Sequence, residues 1–383
     1  MQGDNGENEE IVRITGATKM NRITIFCFYN PTGTVYSYVR KLLADLQSIS
    51  DRILFVANGS LSEEGKALVS SYTKEIYVRE NLGLDYGAYR YALKDILGES
   101  VYSYDELILC NDTFFGFFEP LDRIFDQMDP EDLDIWAMNI VNRRLLGHLQ
   151  SYFLVIKLRN RAFIEEIFRY ELPAKDYSRC VAFMEPRLLR VAKEMSIRYG
   201  AYAHAYGDGH EVYGDPLGCF EKCRLPIMKK KCMDAGYCSE EELDKAIQWI
   251  AENADYPIQC IIDYRLATSD IDGKLKKVAP KTVPEARISE EELQEWANQG
   301  DFYIYGAGII AQSLYYTYFT ENSHFKGFVV SNKDENPKGC LALDEISKDA
   351  RIVTGVRAEL QQEIAACVPQ SMHFLKIWED GLE

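Results

Sequence analysis

Asn111-Asp112 closes the apolar run Leu107-Ile108-Leu109. A carboxylate directly after a buried strand can hold a divalent cation, which takes hard oxygen ligands and bridges phosphates. Asp112 is therefore the candidate ligand for Mg2+ or Mn2+, with capping of the next turn as its plainer alternative. "ENLGLDYGAYRYAL" (80–93) sets Asp85 between Gly83 and Gly87 where a helix begins. Two glycines lower helix propensity, so the start reads as a place where bare backbone approaches a ligand. Asp85 would then accept from nucleotide or sugar hydroxyls, while the helix N-terminus and Arg90 meet phosphates. Asn58-Gly59-Ser60 ends another apolar run, and its amide can both donate to and accept from a ribose or base. The same residues also suit an ordinary Asn-Gly turn.

For proton transfer the first candidate base is Glu185 in "FMEPRLL", with His148, His204 and Asp176 as others. As a carboxylate at a helix start, Glu185 is also explained by the macrodipole. Arg187 and Arg190 join Arg90 as candidate phosphate partners. Phe114, Phe115, Phe117 and Phe118 suit core filling better than an apolar wall over a sugar or base.

These residues need a scaffold that brings them together. Apolar strands are expected at 22–30, 52–60, 75–81 and 104–116, with helices at 35–49, around 62–72 and at 85–97. Continuous apolar strands alternating with helices predict a parallel sheet covered on both faces. Ligands of such sheets gather outside the carboxyl ends of the strands. The polar ends are Tyr29-Asn30, Asn58-Gly59, Asn81 with Gly83, and Asn111-Asp112, and all would face one edge. A helix near 120–128 and a strand at 134–140 extend the unit, and "LQSYFLVIK" (149–157) reads as an antiparallel edge strand. Residues 158–200 look helical, and 199–216 like a loop or short strands. Residues 240–298 hold two acidic helices around the linker "SDIDGKLKKVAPKTVPE".

The order "ITIFCFYN … ILFVANGS … VRENLGLDYGAYRYAL … YDELILCNDTFFG" resembles the nucleotide-sugar half of GT-A glycosyltransferases. "NLGLDYGAYRYAL", "YDELILCNDTFFG" and "LQSYFLVIK" together look like the rhamnan synthesis F family over roughly 20–235. The resemblance implies a transferase that builds bacterial rhamnose-containing surface polysaccharide from dTDP-L-rhamnose. Donor binding would fall to Tyr29, Asn58, Asn81, Gly83, Asp85, Gly87, Arg90 and Asn111. A polysaccharide or lipid-linked glycan would be the acceptor. Asn58 stands where related transferases often carry aspartate, and Asn111-Asp112 replaces Asp-x-Asp.

At 383 residues two domains are expected. The division reads as a disordered 1–20, a GT-A-like α/β domain over 21–238, a helical connector over 239–298 and a small Rossmann-like α/β domain over 299–383. That last part carries Gly306, Gly308 and Ala311 in G-x-G-x-x-A between strand and helix, a candidate second nucleotide site. No acid ends the following strand at Ser331-Asn332-Lys333, so NAD(P) is not the expected cofactor. A net charge of −17 excludes general nucleic-acid binding. A local basic stretch, "RLPIMKKK" (224–231), reads as a solvated helix end or a contact for anionic lipid. No leader and no membrane span are expected, which suits a cytoplasmic protein peripheral to the inner membrane face. Cys219, Cys223, Cys232 and Cys238 lack the paired spacing of a zinc site. Two rival readings are a non-catalytic nucleotide-sugar-binding or assembly module and an NAD(P)-dependent sugar oxidoreductase centred on Gly306.

Overall fold

The computed structural model describes residues 20–172, 175–207, 209–234, 236–268, 285–331 and 339–379. The expected disordered stretch before residue 20, nearly all of the linker, and Asn332-Lys333 lie outside them.

The apolar run after Arg22 forms β1 (Arg22–Phe28), buried on both faces. Then come α1 (Ser37–Ile49), β2 (Arg52–Asn58), α2 (Glu63–Val69), β3 (Glu75–Arg79), α3 (Leu84–Tyr91) and β4 (Glu106–Asn111). Val39, Leu42, Leu43 and Leu46 give α1 the buried stripe that holds it on the sheet. Ser62 caps α2 by accepting from the Gly65 amide at 3.0 Å. β1 to β4 are parallel in the order β3-β2-β1-β4, with Ile25 opposite both Leu54 and Leu109. Chain order therefore reverses between β1 and β4, and sheets of this kind take their ligands outside the carboxyl ends at such a reversal.

The chain continues through β5 (Phe114–Gly116), α4 (Leu121–Met128), β6 (Ile135–Val141), β7 (His148–Leu149), β8 (Phe153–Lys157), α5 (Arg161–Ile167), α6 (Tyr177–Met184), α7 (Pro186–Glu194) and β9 (Tyr199–His204). The expected edge strand, β8, is antiparallel but interior, inserted between β4 and β6. Its residues Phe153 to Ile156 are buried, and β9 extends the sheet beyond β6. The stretch expected as loop or short strands forms β9 and a short helix, α8 (Glu211–Gly214). After α9 (Pro216–Cys223), β10 (Ile227–Lys229) runs antiparallel to β5 with Lys229 opposite Phe114.

Helices α10 (Glu240–Asn253) and α11 (Gln259–Thr268) pack on the first core through Leu243, Ala246, Ile250 and Ile261. Helix α12 (Glu290–Ala297) packs instead on the second core through Leu293 and Ala297. The two acidic helices read as one connector thus serve different cores. Each of α10 and α12 begins with a capping box, Ser239 with Glu242 and Ser289 with Glu292.

The remainder holds β11 (Phe302–Tyr305), α13 (Ile309–Leu314), β12 (Phe325–Val330), β13 (Leu341–Ala342), β14 (Arg351–Thr354), α14 (Ala358–Cys367) and β15 (His373–Leu375). All five strands are parallel, ordered β13-β12-β11-β14-β15, over a core of Phe302, Ile304, Leu314, Phe319 and Val353. The protein is α/β: a large, mainly parallel sheet covered by helices, then a smaller parallel sheet.

Candidate active site at the carboxyl edge of the large sheet

Asp112 follows β4 at the reversal between β1 and β4 and is only 4% exposed. Its Oδ1 accepts from the Tyr29 amide at 3.4 Å, across the β1–β4 gap. Its Oδ2 accepts from Tyr38 Oη and from Lys230 Nζ, each at 2.9 Å. Burial, and then the Asp112 charge, raise the Tyr38 phenol well above its usual range, which keeps it a donor. The carboxylate expected to ligate a divalent cation therefore already carries a side-chain cation. Among the described residues no group of three His, Cys, Asp or Glu side chains could hold a metal. The residues present do not fit Mg2+ or Mn2+, because Lys230 occupies the position such an ion needs beside Asp112.

The lysines reach this place through tertiary pairing. The Lys230 amide donates to the Thr113 carbonyl at 3.0 Å, continuing the β5–β10 ribbon past Lys229. Lys229 is 6% exposed, donates to Thr113 Oγ1 at 2.7 Å and lies 4.1 Å from the Tyr152 ring centroid. Burial pulls its pKa down to about 7, opposed by the charges of Glu185 and Asp85. Lys230 lies over Tyr38 and Tyr264, and Lys231 is ringed by Tyr177, Tyr213 and Tyr237. The basic run expected to be solvated or to face lipid is turned inward, since β10 has to pair with β5.

Asp85 accepts from the Tyr86 amide at 2.9 Å and from Asn111 Nδ2 at 3.2 Å, tying α3 to the end of β4. Burial raises its carboxyl pKa. The N-cap of α3 is Gly83, at φ +68°, and Asp85 sits in the first turn, where it serves the Tyr86 amide as well as Asn111. A Cβ on Gly87 would lie 2.0 Å from the Leu82 carbonyl oxygen, so that glycine serves backbone packing. Asn58, expected to read a ribose or base, is spent within the protein. Its Nδ2 donates to the Leu84 carbonyl at 2.8 Å, and its Oδ1 accepts from Arg79 Nη1 at 2.7 Å. Arg79, which the sequence reading passed over, also holds the Leu82 carbonyl and so fixes the loop before α3. Asn81 Oδ1 and Arg90 Nε are buried with no hydrogen-bond partner among the described residues. Tyr29 is 46% exposed, and its ring sits 3.9 Å from where a Cβ on Gly59 would be.

Glu185 stands between α6 and α7, and its Oε1 accepts from Ser151 Oγ at 3.3 Å. His148 Nε2 is 3.6 Å from Glu185 Oε2 and 3.1 Å from Gln150 Nε2, while Nδ1 lies 2.9 Å from the Leu146 carbonyl. That carbonyl requires the proton on Nδ1, leaving Nε2 as the acceptor. The Glu185 charge acts on Lys229 and on Asp85, so all three belong to one electrostatic cluster.

Other candidates fall elsewhere. His204 is exposed beside a small cleft with Glu211 and Cys223. Asp176 caps α6 by accepting from the Arg179 amide. Arg187 pairs with Glu166 at 2.6 Å, and Arg190 pairs with Glu194 and donates to the Thr317 carbonyl; both line a separate cleft with Arg169 and Glu321. Phe114, Phe115 and Phe117 fill the core. Gly306 and Gly308 lie in the turn between β11 and α13, and Ala311 is buried.

The family model for rhamnan synthesis protein F matches residues 53–301. No curated protein matches the chain. Among solved structures it is similar to a 4-diphosphocytidyl-2C-methyl-D-erythritol synthase from Anaerococcus prevotii, at 8% identity and TM-score 0.36, over 61% of this chain and 97% of that one. A cytidylyltransferase from Leptospira borgpetersenii gives 10% identity and TM-score 0.34, over 67% and 98%. An inositol-1-phosphate CTP transferase from T. maritima gives 9% and 0.32, over 48% and 85%. These likenesses are distant.

Proposed function

The chain belongs to the rhamnan synthesis protein F family, and on that premise we propose that it is a glycosyltransferase. In this reading it moves rhamnose from dTDP-L-rhamnose to a polysaccharide or lipid-linked glycan in bacterial cell-surface polysaccharide synthesis. The observation that carries it is the set of polar groups gathered where strand order reverses between β1 and β4. There an exposed tyrosine ring, an Asp85–Asn111 pair, an Asp112–Lys230 pair and Glu185 share one edge of a parallel sheet. Tyr29 suits stacking on a base. Asn81 Oδ1, unpaired in the protein, suits a ligand hydroxyl.

The chemistry proposed is a displacement at the anomeric carbon. The acceptor hydroxyl oxygen forms the new bond to that carbon and its proton passes to the Glu185 carboxylate. The bond from the anomeric carbon to the diphosphate breaks, and its electron pair stays on the departing phosphate oxygen. Ser151 Oγ donates to the Glu185 carboxylate and holds that side chain for this task. No helix among the described residues is long and apolar enough to cross a membrane. Work at the cytoplasmic face on a lipid-linked acceptor is part of the proposal.

The test is a thermal-shift series with dTDP-, UDP- and GDP-sugars, followed by mass-spectrometric detection of product on a glycan panel. Stabilisation by dTDP-L-rhamnose, with turnover, is the expected result. Stabilisation by UDP- or GDP-sugars alone would overturn the donor assignment. Donor binding without turnover on any acceptor would replace the enzyme by a nucleotide-sugar-binding assembly module.

A further inference from the structure

We propose that Lys229, Lys230 and Lys231 hold the donor's diphosphate, so that this site works with side-chain ammonium groups in place of a divalent cation. The inference rests on the donor-site reading above and adds what neutralises the leaving group. Three observations carry it. The Asp112 carboxylate is filled by Tyr29, Tyr38 and Lys230, with the Lys230 ammonium 2.9 Å from Oδ2. A cation would have to displace a partly buried ammonium that Tyr38 Oη and Asp112 hold at 2.7 and 2.9 Å, on a backbone fixed by the Lys230 amide bond to the Thr113 carbonyl.

Lys229 supplies the second. It is nine-tenths buried, yet its ammonium has only a hydroxyl, Thr113 Oγ1, as hydrogen-bond partner among the described residues. A buried charge without a contacting counter-charge is costly, and an arriving anion would relieve that cost. The third is the tyrosine faces around all three lysines. Such faces position an ammonium electrostatically without neutralising it, which leaves the charges of Lys229 and Lys231 for a ligand while Lys230 also carries Asp112. Lys231 donates to a phenol, Tyr177 Oη, at 3.1 Å.

The chemical consequence follows from charge. When the bond from the anomeric carbon to the diphosphate breaks, negative charge grows on the phosphate oxygen that keeps the electron pair. Fixed ammonium groups in a site shielded from water stabilise that charge as a metal ion would, with no ion to recruit. A lipid surface is the poorer partner for these lysines, because Lys229 is buried and Lys230 is turned onto Asp112.

The test is calorimetric titration of the full chain with inorganic pyrophosphate and with dTDP, in EDTA and then in Mn2+. Binding in EDTA, unchanged by Mn2+, is expected. Lys231→Met should weaken it about tenfold or more while the protein melts normally, since charge-assisted contacts carry such weight. Because Lys230→Met strands Asp112 and risks the fold, Lys230→Arg is its partner variant, expected to keep the fold and bind pyrophosphate in EDTA. Binding that needs Mn2+ would overturn the inference and leave the transferase reading intact. Absence of pyrophosphate binding under both conditions would also overturn it. Pyrophosphate binding in EDTA without sugar transfer would uphold this inference while the transferase reading fails.

Discussion

Two parallel sheets in this chain reverse their strand order in the same way, one between β1 and β4 and the other between β11 and β14. In the large sheet the reversal is filled by charge: Asp112 bridges to the β1 end and carries Lys230. In the small sheet it is filled by glycine. A Cβ on Gly306 would lie 3.1 Å from the Gly355 carbonyl, and one on Gly355 would lie 2.7 Å from the Ala311 Cβ. Tyr305, at the end of β11, spends its hydroxyl on Ser331. The same topology is thus held by charged and polar side chains in one case and by close-packed backbone in the other. The difference teaches that topology gives a location, while buried ionisable groups make it a site. Gly308 alone, with open space around it, keeps room for a ligand in the second nucleotide site proposed at Gly306, Gly308 and Ala311.

The contrast can be broken most severely at Asp112. Asp112→Ala removes the counter-charge of the partly buried Lys230, which keeps only its bond to Tyr38 Oη, so urea melts should show a loss of about 1–3 kcal/mol. Adding Lys230→Met should recover part of it. If Asp112→Ala costs no more than a surface change, charge does not hold this reversal together. Glu185→Gln should leave stability and donor affinity nearly unchanged while lowering transfer by about 10²–10⁴, measured as single-turnover rates. An unaltered rate would remove Glu185 from proton transfer. In the small sheet Gly355→Ala should overpack the seam and cost about 1–3 kcal/mol, with transfer in the folded fraction unaffected.

A smaller effect concerns pH. The folded pKa of Lys229 is lowered to about 7, against about 10.4 when unfolded. Between those values the unfolded chain binds more protons, so this residue makes stability rise with pH, by at most about 1.4 kcal/mol per unit. Melts from pH 7 to 10 should show that slope, and Lys229→Met should flatten it. Smallest is Gly308→Ala, expected to cost about 0.5–1 kcal/mol because alanine is the poorer N-cap of α13. A large loss there, or tight NADH binding abolished by it, would make the small sheet a nucleotide site like the large one.

Strand ends were readable because continuous apolar runs such as Ile23–Phe28 and Leu107–Leu109 announce doubly buried strands, and their polar terminators follow directly in the chain. Partners were not readable where they come from distant segments. Lys230 lies 118 residues from Asp112, and Tyr38 lies 74. A short apolar "LPIM" ending in three lysines was the available signal, since a strand that buries its own length can carry its last residues into a sheet edge. Arg79 was missed because an arginine closing a strand reads as a solvated end. Asn58 was misread because nothing local says that its amide is already bonded to Arg79 and Leu84.

The sequence by itself determined the alternation of strands and helices, the parallel order of the first four strands and the edge where their polar ends gather. Those follow from hydrophobic periodicity, which acts over a few residues. Only the tertiary structure decided which carboxylates are free and which are spent, and that an ammonium rather than an open ligand position faces Asp112. Burial, hydrogen bonding and charge pairing between segments set those outcomes, and each depends on what folds alongside.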